Sequence, residues 1–279
     1  MTVLKENWRN LTKPTSVVTK EGDDDIRKST FVMESFERGF ANTLGNALRR
    51  VLLSSLTGFA VTSIKVENAL HEYGSIEGVK EDVIDMIMNI KSLAITKDTA
   101  DSCVLKLSSD KSGPVYAGEM QLPAGVEISN KDLLICTLSE GGKIDMQLNV
   151  ESGKGYVSAS NNKKSGQAVG TIAIDALFSP VKNVAYKVEN SRVGQITDYD
   201  KLVLDIETNG SVTPRDSLGV AAKILQDQLE VFINFDVAKI DAPVQAEQGD
   251  EPRFNKNLLK TIDELELSVR SYNCLKNED

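Results

Sequence analysis

The segment that most restricts the fold of this chain is a predicted helix with an unusually wide apolar surface. It begins at "TPRD", where Thr213 suits the N-cap, Pro214 the first helical position and Asp216 the positive end of the helix. Up to about Phe235, its apolar side chains cover roughly 220° of the helix at about 100° per residue. A helix of this kind needs cover on two sides. One side can be a sheet, and the other requires a second helix, in this chain or in a partner.

A second amphipathic helix is predicted within "FERGFANTLGNALRRVLLSSLTGF", residues 36–59. Opposite its apolar arc lie Arg49 and Arg50, with Leu53 between polar neighbours. Arginine together with exposed leucine suits a protein interface, although the two arginines could equally be solvated or pair weakly with nearby acids. Gly45 lies at the edge of the apolar arc. Because glycine costs a helix about 1 kcal/mol relative to alanine, we expect another backbone to approach closely there.

Between these helices the chain is rich in short strands. From about residue 100 to 190, stretches such as "CVLKLSS" and "KIDMQLNVE" alternate with turn residues. Residues 238–256 are polar with two prolines and predict a flexible linker. Residues 257–279 contain one helix-length stretch but too few apolar residues for a core of their own. The sequence therefore predicts an α+β fold with a strand-rich middle.

Composition and single residues exclude several classes of function. A net charge of -9 disfavours nonspecific binding of nucleic acid by the body of the chain. Three scattered cysteines and the lack of an export signal or an 18-residue apolar run indicate a cytoplasmic protein without a membrane span. The single histidine, His71, excludes any site that needs two imidazoles from one chain. We expect no metal and no cofactor.

Long segments in order resemble a known family. The segments "ERGFANTLGNALRRVLLSS", "HEY", "EGVKEDVIDMIMNIK", "DALFSPVKNVAYKVE" and "DYDKLVLDIETNG" strongly resemble the N-terminal domain of the bacterial-type RNA polymerase alpha subunit. This similarity extends over about residues 25–236. The tail "IDELELSVRSYNCLKNED" resembles the opening of that family's C-terminal domain. The rest of that domain has no counterpart, so we expect an incomplete helical C-terminal segment that does not read upstream promoter DNA.

The resemblance implies a chain divided into four parts. Residues 1–57 and 183–237 would form a dimerisation part of helices and sheet, and residues 58–182 an inserted β-rich part. A flexible linker over 238–256 and a truncated start of the C-terminal domain over 257–279 would follow.

The resemblance also implies partners and contact residues. The chain would be a non-catalytic, homodimeric scaffold that nucleates polymerase assembly by binding the beta and beta-prime subunits, with omega and sigma present in the holoenzyme. The dimer interface would contain Phe40, Leu44, Leu48, Val51, Leu52, Leu218, Ala221, Leu225, Leu229 and Phe232. The beta contact would contain Arg49, Arg50, Leu53, His71 and Glu72. Candidates for the beta-prime contact are Lys182, Val184 and Tyr186, although the same segment also fits a plain strand–loop–strand unit. Arg270 and Asn273 match the family's minor-groove positions, which a complete C-terminal domain would hold against DNA.

Two other classes of protein remain open from the sequence. One is a free-standing enzyme built on the β-rich part, which would need a convergent set of acids and bases that the sequence does not show. The other is a dimeric DNA-binding regulator, which would need a basic face that a net charge of -9 disfavours.

Overall fold

The computed structural model describes residues 11–12, 14, 16–21, 26–69, 71–164, 166, 168–193 and 196–233. The chain separates into two compact units, one of Arg9–Val231 and the other of Met1–Trp8 with Phe232–Asp279. All helices and strands named below belong to the first unit. The predicted linker, the predicted C-terminal segment, and Arg270 and Asn273 lie outside the described residues.

The described residues form a mixed α+β fold, which confirms the predicted fold class. The elements in chain order are β1 (Val17–Glu21), β2 (Lys28–Glu37), α1 (Phe40–Ser54), β3 (Thr57–Val66), α2 (Val83–Lys91), β4 (Ile95–Lys97), β5 (Cys103–Ser109), β6 (Gly113–Tyr116), a 3₁₀ turn (Ala117–Glu119), β7 (Val126–Ile128), β8 (Leu134–Leu138), β9 (Ile144–Lys154), β10 (Tyr156–Val157), α3 (Ala159–Asn162), β11 (Thr171–Ala173), β12 (Ala176–Leu177), β13 (Val181–Val193), β14 (Ile196–Thr208) and α4 (Pro214–Glu230).

The first sheet is antiparallel and supports the two long helices. Its strand order is β1-β2-β14-β13, so strands from the two ends of the described chain meet at its centre. Helix α1 packs against β13 and β14, and α4 packs beside α1. The core below the helices contains the buried Phe31, Leu52, Leu202, Leu204 and Ile206.

The second sheet lies in the strand-rich middle of the chain. Its order is β11-β3-β9-β5, again antiparallel, and the pairs β4-β7, β6-β8 and β10-β12 surround it. Its hydrophobic cluster, with the half-buried side chains packed against it, draws on residues 59–174, whereas the first cluster draws on 31–56 and 181–225. The boundaries of the predicted domains remain a prediction.

Both ends of α4 have local physical causes. Thr213 caps α4 as predicted, because its hydroxyl oxygen accepts the backbone N–H of Asp216 at 3.2 Å. The helix ends at Glu230, before the predicted Phe235. The β-branched Val231 and Ile233, which lose rotamer freedom in a helix, disfavour its continuation. None of the helices in the described ranges is both long and apolar enough to cross a bilayer.

Two titratable side chains, Glu81 and Cys136, lie at strand β8 beside the core of the strand-rich part. The Glu81 carboxylate, just before α2, accepts the Thr137 backbone N–H at 2.6 Å and the Thr137 hydroxyl at 2.8 Å. Burial alone would raise the pKa of Glu81, but these hydrogen bonds outweigh it and hold that pKa below its ordinary value of 4.5. Burial raises the pKa of the neighbouring Cys136 thiol to about 12, with a smaller contribution from the charge of Glu81.

Candidate protein interface

The inner face of α1 joins the helix tightly to the first sheet. Ala41, Gly45, Leu48 and Leu52 are buried there. A Cβ atom added to Gly45 would lie 2.8 Å from Cδ2 of Tyr186 and 3.0 Å from Cδ1 of Leu202. The close approach predicted at Gly45 is therefore present, but it comes from side chains of the sheet and not from another backbone.

A second, apolar face of α1 is exposed beside α4. Phe40 is 48% exposed, Leu44 lies one turn further on, and Leu229 on α4 is 57% exposed. The half-buried Val51, Leu218 and Leu225 pack partly against the first cluster. Exposed apolar side chains on two helices that pack together are typical of a protein interface.

Three residues of the predicted dimer interface are buried within the chain itself. Leu48, Leu52 and Ala221 are buried in the chain's own core, because the sheet already covers the centre of each apolar arc. The predicted arcs thus combine a buried half with an exposed half. Phe232 is exposed and lies in the other compact unit, so it stays a prediction.

The polar face of α1 presents the two arginines. Arg49 and Arg50 are exposed, and within the part of the chain that the structure describes neither has an ion pair. Pairing with nearby acids, the alternative left open by the sequence, is therefore not seen among these residues. Leu53 is half-buried and packs against the first cluster, which corrects its placement on a fully exposed face.

The residues predicted for the beta-prime contact lie on β13, directly below α1. Lys182 is exposed, whereas Val184 is buried in the first cluster. Regular alternation would put these two residues on one face, but a register shift between Val181 and Asn183 interrupts it, so Lys182 points away from the core. Tyr186 is half-buried against Gly45, and its hydroxyl donates to Asn42 Oδ1 at 3.1 Å. Tyr186 therefore supports the polar face of α1.

His71 and Glu72 are not brought together with the arginines. His71 is exposed and Glu72 half-buried in the segment after β3. Glu72 lines a cleft with Ala173 and Asp175, and Ala173 pairs with Ser63 in the middle of β3. The segment after β3 therefore lies along that strand and not on the polar face of α1.

Asp200 is a residue that the sequence did not reveal. Its buried carboxylate accepts the backbone N–H of Gly39 at 2.8 Å, across 161 residues of sequence. Gly39 has a φ of 90° and gives α1 no side-chain cap, and the first turn of α1 has no acidic residue. An acceptor from β14 therefore satisfies a donor at the start of α1 and fixes the direction in which the helix leaves β2.

Two stretches of the chain match known protein families. Residues 64–179 match the RNA polymerase Rpb3/RpoA insert domain, and residues 248–279 match the C-terminal domain of the bacterial RNA polymerase alpha chain. The chain is therefore a subunit of a DNA-directed RNA polymerase, an enzyme complex that carries out transcription. It belongs to the bacterial-type RNA polymerase alpha subunit family, as the resemblance predicted.

Proposed function

We propose that the chain is the dimeric, non-catalytic scaffold that nucleates polymerase assembly in the cytoplasm by binding the beta and beta-prime subunits. This proposal rests on one observation, that α1 exposes two chemically different faces. Phe40 and Leu44 form an apolar face beside α4, and Arg49 and Arg50 form a cationic face. One rigid helix can thus bind a second copy and a different partner without competition between them.

The apolar face suits self-association. Full burial of an exposed leucine or phenylalanine contributes roughly 1.5–3 kcal/mol, and half-exposed side chains such as Phe40 and Leu229 contribute about half of that. In a two-fold symmetric dimer both copies bury the same residues, so each contribution counts once for each copy. The exposed set of Phe40, Leu44 and Leu229, with Val51, Leu218 and Leu225 at its edge, replaces the wider predicted interface.

The cationic face suits the beta subunit. Guanidinium groups without ion pairs among the described residues can form forked hydrogen bonds with carboxylates or carbonyls of a partner. Leu53 packs against the first cluster next to the arginines, and Lys182 remains the exposed candidate for the beta-prime contact. Residues 1–57 with 183–237 would form the dimerisation part and 58–182 the insert.

The dimer is tested with Leu229→Asp and Leu229→Ala. Leu229 is mostly exposed, so neither change should unfold the chain, but an unpaired carboxylate in the seam costs several kcal/mol. Light scattering should show a folded monomer for the aspartate variant and a dimer for the alanine variant. A dimer of unchanged stability with aspartate would show that the seam lies elsewhere.

The beta contact is tested with Arg49→Ala/Arg50→Ala in the full chain. The dimer should remain intact, while binding to purified beta should weaken by about 2 kcal/mol or more if either arginine is a buried anchor. The matched control is Lys111→Ala/Lys143→Ala, which removes two exposed cations from the strand-rich part. Equal beta affinity in wild type and the arginine variant would reject the proposed contact.

A further inference from the structure

An exposed apolar pair stands on a short β-ribbon outside both faces of α1. Tyr156 on β10 lies directly opposite Leu177 on β12, and the two side chains are 64% and 62% exposed. Cross-strand neighbours of this kind lie within side-chain contact distance and form one apolar surface. The residue after Leu177, Phe178, is buried.

The ribbon is firmly attached, so its surface is preformed. The Phe178 backbone N–H donates to the Gly155 carbonyl at 2.8 Å. The Phe178 ring lies so close to Gly153 that an added Cβ there would be 2.7 Å from it. Because Phe178 points into the protein, Leu177 is directed outward with Tyr156. A fixed apolar pair loses little conformational entropy when a partner covers it.

The ribbon begins beside the C-terminal end of α1, because Lys154 pairs with Thr57 just after that helix. Gly155, with a φ of 61°, turns the chain beside the end of that helix, where its Cβ position lies 3.8 Å from the Ser54 carbonyl oxygen. The Ser54 hydroxyl in turn donates to the Arg50 carbonyl at 2.8 Å, one helical turn earlier. The ribbon therefore begins beside the end of α1, one helical turn beyond Arg50, and Arg50 and Tyr156 can both fit within one interface of ordinary size.

A cleft of about 230 Å³ opens at the same junction. Its lining is mostly apolar and includes Leu56, Pro180, Val220 and Ile224. Lys154, the residue before Gly155, also lines the cleft and is exposed. Like the two arginines, Lys154 has no ion pair with any residue that the structure describes.

We propose that Lys154, Tyr156, Leu177 and this cleft form a second half of the beta-binding surface. The occupant is a segment of the beta subunit that places a bulky apolar side chain in the cleft and carboxylates against Lys154 and Arg50. This inference rests on the proposed beta contact of α1. The chemistry favours it, since tyrosine and arginine dominate interface hot spots and unpaired cations select an acidic segment.

The test measures affinity of the full chain for purified beta in four variants, Tyr156→Ala, Leu177→Ala, Lys154→Glu and the control Val169→Ala. Val169 is almost fully exposed and precedes β11, which pairs with the far end of β3. We expect Tyr156→Ala and Lys154→Glu to weaken beta binding about tenfold or more. Val169→Ala should change it less than twofold. Thermal unfolding should not change in any variant, because these side chains are exposed.

A second measurement tests whether the ribbon and the arginine face contribute together to beta affinity. If one beta segment covers both halves, the effects of Arg50→Ala and Tyr156→Ala on beta affinity should not be additive. Unchanged beta affinity in the ribbon variants, with a loss in the arginine variant, would overturn this inference and leave the proposed function standing. Unchanged affinity in both would overturn the proposed function as well. Loss of the dimer, or of beta-prime binding alone, would assign the ribbon to another partner and reject the inference.

Discussion

Gly45 packs closely against the first sheet, so the effect of Gly45→Ala on stability is the sum of two opposing contributions. Gly45→Ala should gain about 1 kcal/mol of helix propensity in the middle of α1. The new Cβ would lie 2.8 Å from Tyr186 Cδ2 and 3.0 Å from Leu202 Cδ1. Carbon atoms in normal contact are roughly 3.5–4.0 Å apart, so the sheet and the helix must separate.

Overpacking of this degree costs about 1–3 kcal/mol, which exceeds the propensity gain. Gly45→Ala should therefore destabilise the chain by about 1 kcal/mol. The tyrosine ring cannot move aside easily, because its hydroxyl is bonded to Asn42 on the same helix. In a Tyr186→Ala background the ring is gone, and the same glycine substitution should become neutral or stabilising by up to about 1 kcal/mol.

The measurement is a set of four urea unfolding midpoints followed by far-UV circular dichroism. Protein concentration is held constant, because self-association would link stability to concentration. The sign of the Gly45→Ala effect should differ between the two backgrounds. Equal stabilisation in both would refute the reasoning, since it would mean that the contact with Tyr186 imposes no constraint on the helix.

Three further predictions concern groups outside α1. Because the pKa of Glu81 is lowered, its bonds to Thr137 stabilise the chain fully above about pH 5, and that contribution is lost as the pH falls through the folded-state pKa. The difference in unfolding midpoint between wild type and Glu81→Gln should thus shrink from pH 7 to pH 3, and a constant difference would contradict this. With a pKa of about 12, the buried Cys136 should resist iodoacetamide at pH 8 in the native state, whereas the half-buried Cys103 should react faster, as read by peptide mass spectrometry. Equal labelling would show that the strand-rich core opens readily. Thr213→Ala should cost about 1 kcal/mol by removing the cap of α4, while Thr213→Ser should retain it, and equal unfolding midpoints for the two variants would exclude the capping role.

The sequence by itself determined the features that depend on near neighbours. The Thr213 cap and Pro214 at the start of α4 were predicted from four consecutive residues and are present. Alternation and turn residues placed strands such as β5 and β9 correctly. The long match in order and spacing identified the polymerase alpha family, which the matched insert and C-terminal domains confirm.

Only the tertiary structure decided which part of each apolar surface is buried. Periodicity put Leu48 and Phe40 on one arc of α1, but the sheet covers Leu48 and leaves Phe40 exposed. It likewise could not show that Val184 points into the core or that Asp200 holds Gly39 from 161 residues away. A helical period reports which residues share a side, whereas burial depends on where distant strands lie against that side. The division of α1 into a core face, an apolar face and an arginine face therefore arises from the packing of β13, β14 and α4 around it.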